Sequence, residues 1–388
     1  MKVCDLALFS PDTSSGVKTY ITDKIAYVAG RDDVEHVVIV PGKEDRVCVQ
    51  ARTKMMVVRG MPSPYPGLRV GMNLGRIARL VERESPDIIE LNCQYTLPWA
   101  ALLATRRRRT PIVGIYHTDV PACARHLARH AGPTVARAVE RITEFYEGLI
   151  YRHCTVTVML NAAMHHRLQR LGVMRMRCLP CGVDVAMFHP GRRDLGFRTR
   201  LGLAANQTIL LYVGRLSAEK ELELLFAAYE RLSPHKFVLL IAGDGPDAPS
   251  VRRHAAVRPG VRYLGHIESR ADLATIYASS DIFVVPGRYE TFGIATLEAI
   301  ACGLPVVGIQ DSGTAALVPP RIGKMARAGD AADLAATIAA VAAWSPDSTR
   351  AIGHAFAAET FARDIVFDQY FSLYRDLIDW GPARRPPG

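Results

Sequence analysis

Short apolar runs alternate with amphipathic stretches along the whole chain. In the first half, residues 3–9 (VCDLALF), 34–40 (VEHVVIV), 55–59, 86–91 (PDIIEL), 111–116 (PIVGIY) and 155–160 (TVTVML) have the length and apolarity of strands. A helical stretch follows the Ser14-Ser15-Gly16 turn and runs to about Ala29, and Asn161 is placed to cap the helix after 155–160. Pro62, Pro64 and Pro66 mark a loop. The second half repeats the grammar. Residues 208–214 (TILLYVG), 237–243 (FVLLIAG), 261–265 (VRYLG), 281–286 (DIFVVP) and 305–309 (PVVGI) read as strands, with helices over 221–232, 272–279 and 291–302. Strands that alternate with helices pair in parallel, so two doubly wound α/β sheets are expected. Such sheets bind ligands at the carboxyl ends of their strands, which predicts a site in a cleft between two domains.

Gly182, Pro190 and Gly191 and the charged run after them suggest a boundary near 182–195. This organisation predicts an N-terminal domain over 1–185, a C-terminal domain over 186–360, and a last segment, 361–388. That segment contains a helix with apolar residues at Ile365, Phe367, Tyr370, Phe371 and Tyr374. The alanine-rich stretch 331–343 reads as a surface helix. At 388 residues the chain is too long for one core, and 49% apolar with 22% charged residues is the balance of a folded globular protein. The start, MKVCDLALFSP, reads as a first strand and not as a signal peptide, and no window reaches 18 uninterrupted apolar residues. A cytoplasmic protein is therefore expected, and its cysteines are expected as reduced thiols. Cys178-Leu-Pro-Cys181 has the spacing of half a metal or redox site, but no second half lies nearby.

The net charge of +10 is unevenly placed: residues 1–185 carry +9 and residues 186–388 carry +1. A basic first half points to anionic partners or to a plain arginine-rich composition. Arg125, Arg129, Arg137 and Arg141 follow one another at spacings that would line one face of a single helix.

The chemistry concentrates in Pro286-Gly-Arg-Tyr-Glu290-Thr-Phe-Gly293-Ile-Ala-Thr-Leu-Glu298. A strand ends at Pro286 and a helix begins near Thr291. The N–H groups and positive dipole end of such a helix hold anions such as a diphosphate. Glu290 precedes that terminus, and Glu298 lies two turns along the same face. Carboxylates there can accept hydrogen bonds from sugar or ribose hydroxyls, or they can simply cap the helix and pair with cations.

The same segment resembles the hallmark of the family-four retaining glycosyltransferases, two glutamates separated by seven residues and followed by AIACGLPVV. VGRLSAEKELELL (213–225) is similar to that family's phosphate clamp. GDGP (243–246) and GHIESRADLATIYASSDIFVVP (265–286) follow in its usual order. GIYHTDVP (114–121) resembles the acceptor-domain segment of glycolipid-forming members, such as mannosyltransferases and sulfoquinovosyl-diacylglycerol synthase, and CGVDVAMFHP (181–190) resembles the interdomain connector. The resemblance spans roughly residues 1–380. It implies a GT-B fold, two facing Rossmann-like doubly wound domains with an interdomain cleft, the last helix returning to the first domain.

By the resemblance, Arg215 and Lys220 hold the donor diphosphate, Glu290 binds the sugar hydroxyls and Glu298 the ribose. Backbone groups around Phe292 and Gly293 contact the sugar, those near Leu297 the diphosphate, and Ile267 the base. His117 lies beside the donor sugar and steadies positive charge at the anomeric carbon. Asp119 orients His117 or touches the acceptor, and Gly16 approaches the phosphates. Two departures stand out. The first loop is SSG where two or three glycines are usual, and DSGTAALVPP (311–320) keeps Gly313 but lacks the usual glutamate.

The implied reaction moves a mannose- or glucose-type hexose from a UDP- or GDP-sugar to a lipid or glycan acceptor with retention. Attack comes from the face the diphosphate leaves, and no metal or other cofactor takes part. The implied partners are the donor, the acceptor and an anionic membrane surface at which the protein is peripheral; nucleic acid is not among them. The alternatives are a soluble small-molecule acceptor, an epimerase or phosphorylase on the same fold, and a non-catalytic glycan- or membrane-binding protein. A dinucleotide-dependent dehydrogenase is disfavoured because no GxGxxG follows the first strand.

Overall fold

A computed structural model describes residues 1–9, 15–63 and 68–379. Ser14, Pro64 and Pro66 lie outside them. The chain forms two compact units, Met1–Cys181 together with the segment from Asp364 on, and Gly182–Arg363.

The first unit contains β1 (Lys2–Ala7), β2 (Glu35–Gly42), β3 (Arg46–Gln50) and β4 (Thr53–Arg59), then a small ribbon of β5 (Met61–Pro62) and β6 (Arg69–Val70). β7 (Ile88–Asn92), β8 (Ile112–Tyr116), β9 (Val156–Met159) and β10 (Met176–Cys178) follow. The main sheet runs β10-β9-β8-β7-β1-β2-β4-β3. All its pairings are parallel except that of β3 with β4. β3 escapes the sequence pattern because it is an edge strand. Its Val47 and Val49 face solvent, so no apolar run marks it. Its hairpin turn is closed by Ala51 in the left-handed region, φ 49°.

The second unit holds β11 (Thr208–Val213), β12 (Phe237–Ala242), β13 (Val261–Gly265), β14 (Ile282–Val284), β15 (Val306–Ile309) and β16 (Gly323–Ala326). They are ordered β13-β12-β11-β14-β15-β16 and all are parallel. Each sheet is wound outward from an inner strand, β1 in one and β11 in the other. The winding reverses between β1 and β7 and between β11 and β14. In open parallel sheets the ligand crevice opens at this reversal, beyond the carboxyl ends of the strands. The cores lie on the sheet faces, with Leu6, Ile39, Ile89 and Leu97 in the first and Leu210, Leu225, Ile241 and Val284 in the second.

Three helical expectations need correction. The helix Ala331–Ala342 is not a plain surface helix, because Leu334, Ala335, Ile338 and Val341 are buried in the second core. In the helix Arg363–Asp379, Ile365 is exposed. The buried face is Val366, Phe367, Tyr370, Phe371, Tyr374 and Leu377, packed in the first unit against Tyr20 and Tyr27. Last, no single helix carries the four arginines. Arg125 sits on Val120–Ala128, Arg129 in a short turn, and Arg137 and Arg141 on Pro133–Tyr151. Gly132 at φ 98° followed by Pro133 breaks the run, and Arg125 turns back to pair with Glu140 at 3.1 Å.

Candidate functional site

In the second unit, two loops meet where the winding reverses. The first leaves β11 as Gly214-Arg215-Leu216-Ser217 and enters a short turn, Ala218–Lys220. Its shape depends on two glycines at the end of β12. Gly243 and Gly245 sit at φ 140° and 156°, and a Cβ there would come within 1.9 Å of Gly214 O and 2.3 Å of Leu216 O. The conformation is locked further by Leu216 N–H donating to Asp244 O (3.0 Å) and Tyr212 Oη donating to Arg215 O (2.9 Å). The GDGP segment therefore seats the Arg215 loop from behind.

The second loop leaves β14 and carries Glu290 to the helix Ile294–Ala301. Gly287 lets it pass close to the first loop, since a Cβ there would lie 3.1 Å from Lys220 Cα. Lys220 Nζ then pairs with Glu290 Oε2 at 2.6 Å, both side chains being about a quarter exposed. Arg288 pairs with Glu221 alongside, Nε to Oε1 at 3.1 Å. Gly293 caps the helix in the left-handed region at φ 89°. Leu297 N–H is bonded to Gly293 O at 3.1 Å, so it is held by the helix. The amides ahead of the helix's first bond are those of Ile294, Ala295 and Thr296, one turn earlier than the sequence pointed. The Phe292 side chain is buried beside Phe361, which leaves its backbone as the part that can meet a ligand.

Glu298 is buried within that helix. Tyr277 Oη donates to its Oε2 at 3.2 Å, and Arg270 lies 3.7 Å from Oε1. Ile267 is half-buried in the loop after β13, further along the same sheet edge. Gly313 explains its own presence. Its N–H donates to Glu290 O at 2.7 Å, and a Cβ would sit 2.1 Å from Thr291 O, so any side chain would push the 311–320 loop off the Glu290 segment.

In the first unit, the helix Gly16–Ala29 starts after β1, capped by Ser15 Oγ accepting from Lys18 N (3.2 Å). Gly16 is exposed and takes up helical backbone rather than a left-handed turn. His117 ends β8. Its Nε2 lies 2.7 Å from Asn92 Oδ1 at the end of β7, and its ring meets Tyr20 edge-on at 5.4 Å. Burial, reinforced by Lys24 and opposed by Asp5, pulls its pKa down to about 4. Asp119 serves its own helix and a neighbouring arginine. Its Oδ1 caps the helix Val120–Ala128 through Ala122 N (3.0 Å) and pairs with Arg167 at 2.8 Å, while burial pushes its carboxyl up. The residue that orients His117 is Asn92, which the sequence reading missed. Cys178 is exposed and Cys181 fully buried, and burial pushes the Cys181 thiol up, so the pair does not offer two accessible thiolates.

Residues 14–187 match the family described as Glycosyltransferase Family 4, and residues 207–343 match Glycosyl transferases group 1. A GDP-mannose-dependent alpha-mannosyltransferase of Corynebacterium glutamicum is 30% identical over 315 residues, 80% of this chain and 72% of that protein. The chain belongs to the family-4 glycosyltransferases. A GDP-mannose-dependent alpha-(1-6)-phosphatidylinositol dimannoside mannosyltransferase of Mycobacterium tuberculosis is 28% identical over 79% of each chain. Sucrose-phosphate synthase from Thermosynechococcus elongatus superposes with a TM-score of 0.80 at 19% identity, over 98% of this chain and 99% of that one. The fold of this glycosyltransferase is accordingly GT-B.

Proposed function

We propose that this glycosyltransferase moves a mannose- or glucose-type hexose from a GDP- or UDP-sugar to a lipid or glycan acceptor, with retention. The observation that carries the reading is the 2.6 Å contact of Lys220 with Glu290 beside the start of the helix Ile294–Ala301. It sets a cation, a carboxylate and unbonded amides at the crevice of one sheet, next to the loop of Arg215. A sugar diphosphate needs that set: positive groups for the leaving phosphates and an acceptor for the sugar hydroxyls. Arg215 and Lys220 with the helix N-terminus stabilise the departing diphosphate. Glu290 positions the sugar, Glu298 the ribose and Ile267 the base. Attack comes from the face of departure, and a departing phosphate oxygen takes the acceptor's proton. In this reading the positive charge comes from side chains and amides, so turnover is metal-independent. The relatives' use of GDP-mannose makes that donor the first to test.

The test is a panel of GDP- and UDP-sugars with lipid extract and free sugars as acceptors, followed by mass spectrometry. GDP-mannose with lipid extract is expected to give a mannolipid, unchanged by millimolar EDTA. A product on free sugars alone, or activity lost to EDTA and restored by Mg²⁺ or Mn²⁺, would replace the lipid or the metal-free part of the reading.

The acceptor reading extends to a membrane surface. On the helix Pro133–Tyr151, Val135, Ile142 and Phe145 are exposed on one side, the last at 71%, and exposed Arg137 and Arg141 flank them. Exposed apolar groups framed by arginine suit an anionic bilayer, where each cation near the surface adds about 1 kcal/mol. No helix among the described residues is long and apolar enough to cross a membrane, so contact through this helix would be peripheral. Liposome sedimentation should show binding that needs anionic lipid, weakens with salt, and falls when Phe145→Ser and Arg141→Glu are combined. Equal sedimentation of the wild type and this variant would sink the docking face.

A further inference from the structure

Beneath His117 lies a buried polar chain that the transferase reading does not use. Asp5, in the inner strand β1, is fully buried. Its Oδ1 takes Lys24 Nζ at 2.8 Å, and its Oδ2 lies 2.9 Å from His36 Nε2. Lys24 Nζ also reaches Glu90 Oε1 at 3.1 Å. Glu90 is then met by three more donors: Asn92 Nδ2 at 2.9 Å, Tyr20 Oη at 3.3 Å and Tyr374 Oη. Burial pushes the Glu90 carboxyl up against the pull of Lys24. Oε1 faces the Lys24 ammonium, which only donates, so a proton on Glu90 would sit on Oε2, toward the Tyr20 and Tyr374 hydroxyls, which accept as well as donate. Glu90 Oε1 is an acceptor in either protonation state.

That settles the next two groups in turn. Glu90 forces Asn92 to present its NH₂ inward, so the Asn92 carbonyl faces outward to His117. A carbonyl only accepts, so the imidazole nitrogen 2.7 Å from it must carry the hydrogen. We propose that Asn92, oriented by Glu90, holds His117 in the Nε2–H tautomer and leaves Nδ1 as a standing hydrogen-bond acceptor, which makes Asn92 and Glu90 positioning residues of the transferase. The proposal rests on the reading of His117 as a residue of the transferase, and all the contacts that carry it lie within the first unit.

The surroundings keep the ring neutral. The groups around it are Tyr20 and Lys24 from the helix Gly16–Ala29, Asp5 from β1, Glu90 and Asn92 from β7, His36 from β2 behind Asp5, and Tyr370 and Tyr374 from the last helix. Asp5 favours an imidazolium, but burial and the charge of Lys24 outweigh it. Burial accordingly holds the His117 pKa near the value given above, and the ring stays an uncharged acceptor through the neutral range. Electron density at Nδ1, rather than proton transfer, is what His117 then offers.

The experiment is ¹⁵N NMR of histidine-labelled protein from pH 5 to 8 without donor, with His117→Gln used to assign the signal. Wild type should show one protonated Nε2 and one bare Nδ1, unchanged over the range. Asn92→Ala removes the acceptor from Nε2–H without setting a second carboxyl against Glu90, and the Nδ1–H form should then appear in the spectrum. Transfer should fall with it. An Nδ1–H tautomer or an imidazolium above pH 6 in the wild type would overturn the proposal. So would a folded Asn92→Ala variant that keeps only the Nε2–H form, or one that loses it with transfer unchanged. The spectra are taken without donor, so they decide the tautomer whether or not the donor reading stands. The wild-type spectrum decides it alone should the variant fail to fold.

Discussion

Arg215→Ala and Lys220→Ala should each lower transfer by roughly 10²–10³-fold, the usual consequence of removing one charged donor from a transition-state oxyanion. The two variants should differ in what else changes. Arg215 sits on a loop whose course is set by the Gly243 and Gly245 contacts with the backbone on either side of it, so trimming its side chain leaves the loop in place. Lys220→Ala also strips Glu290 of its 2.6 Å partner. The pair is partly exposed, and pairs of that kind contribute about 0–1 kcal/mol, so thermal stability should change little in either variant. Initial rates with saturating acceptor, read beside thermal melts, check both statements. Near wild-type turnover in both variants would remove the phosphate clamp from the mechanism. A collapse of the melt in either would recast that residue as structural.

Glu290→Gln should lower transfer by about 10- to 100-fold, the range expected when a charged hydrogen-bond acceptor is made neutral. Its effect on the nucleoside diphosphate should run the other way. With the carboxylate gone, Lys220 no longer has to choose between Glu290 and phosphate, so the free diphosphate should bind as well as in wild type or more tightly. Calorimetry with GDP and UDP, set against turnover, separates the two. Equal losses in binding and turnover would mean that Glu290 serves the nucleotide or the fold and not the sugar. Because Gly313 N–H holds the Glu290 carbonyl at 2.7 Å, the variant keeps its backbone anchor, and the comparison reports on the side chain.

The loops at the ends of β11 and β14 were largely legible from sequence because their signals are local. The strand TILLYVG leads straight into Arg215, and DIFVVP leads into Glu290 and the helix that follows. Each motif carries its own element, and a parallel order then places the carboxyl ends of β11 and β14 side by side. The glycines of GDGP and of the 311–320 loop could be quoted as motifs, but their reason could not. It lies in backbone atoms of other segments, Gly214, Leu216 and Thr291, which approach too closely for any Cβ.

The first unit was less legible because its organisation is made at a distance. Asn92 lies 25 residues before His117, and the two meet only because β7 and β8 are parallel neighbours that end at the same edge. Asp119 is two residues from His117 in sequence, yet it caps the next helix and pairs with Arg167. Tyr374 reaches Glu90 across 284 residues because the last helix packs onto the first sheet. The stripe of arginines failed for a local reason, the Gly132–Pro133 break, which the count of spacings ignored.

By itself, the sequence determined two α/β sheets that are parallel apart from the β3 edge, through the alternation of strand and helix periods. It also placed the cations and carboxylates Arg215, Lys220 and Glu290 in the loops that follow two of the strands, where a doubly wound sheet exposes them. Only the tertiary structure decided which groups face one another across those ends: Lys220 with Glu290, Gly313 beneath Glu290, and the Asp5–Lys24–Glu90–Asn92–His117 chain. The physical reason is that burial and hydrogen bonding act through space. A charge such as Asp5 in the middle of a strand looks like a fault in an apolar run until the sheet and helices close around it and supply Lys24 and His36.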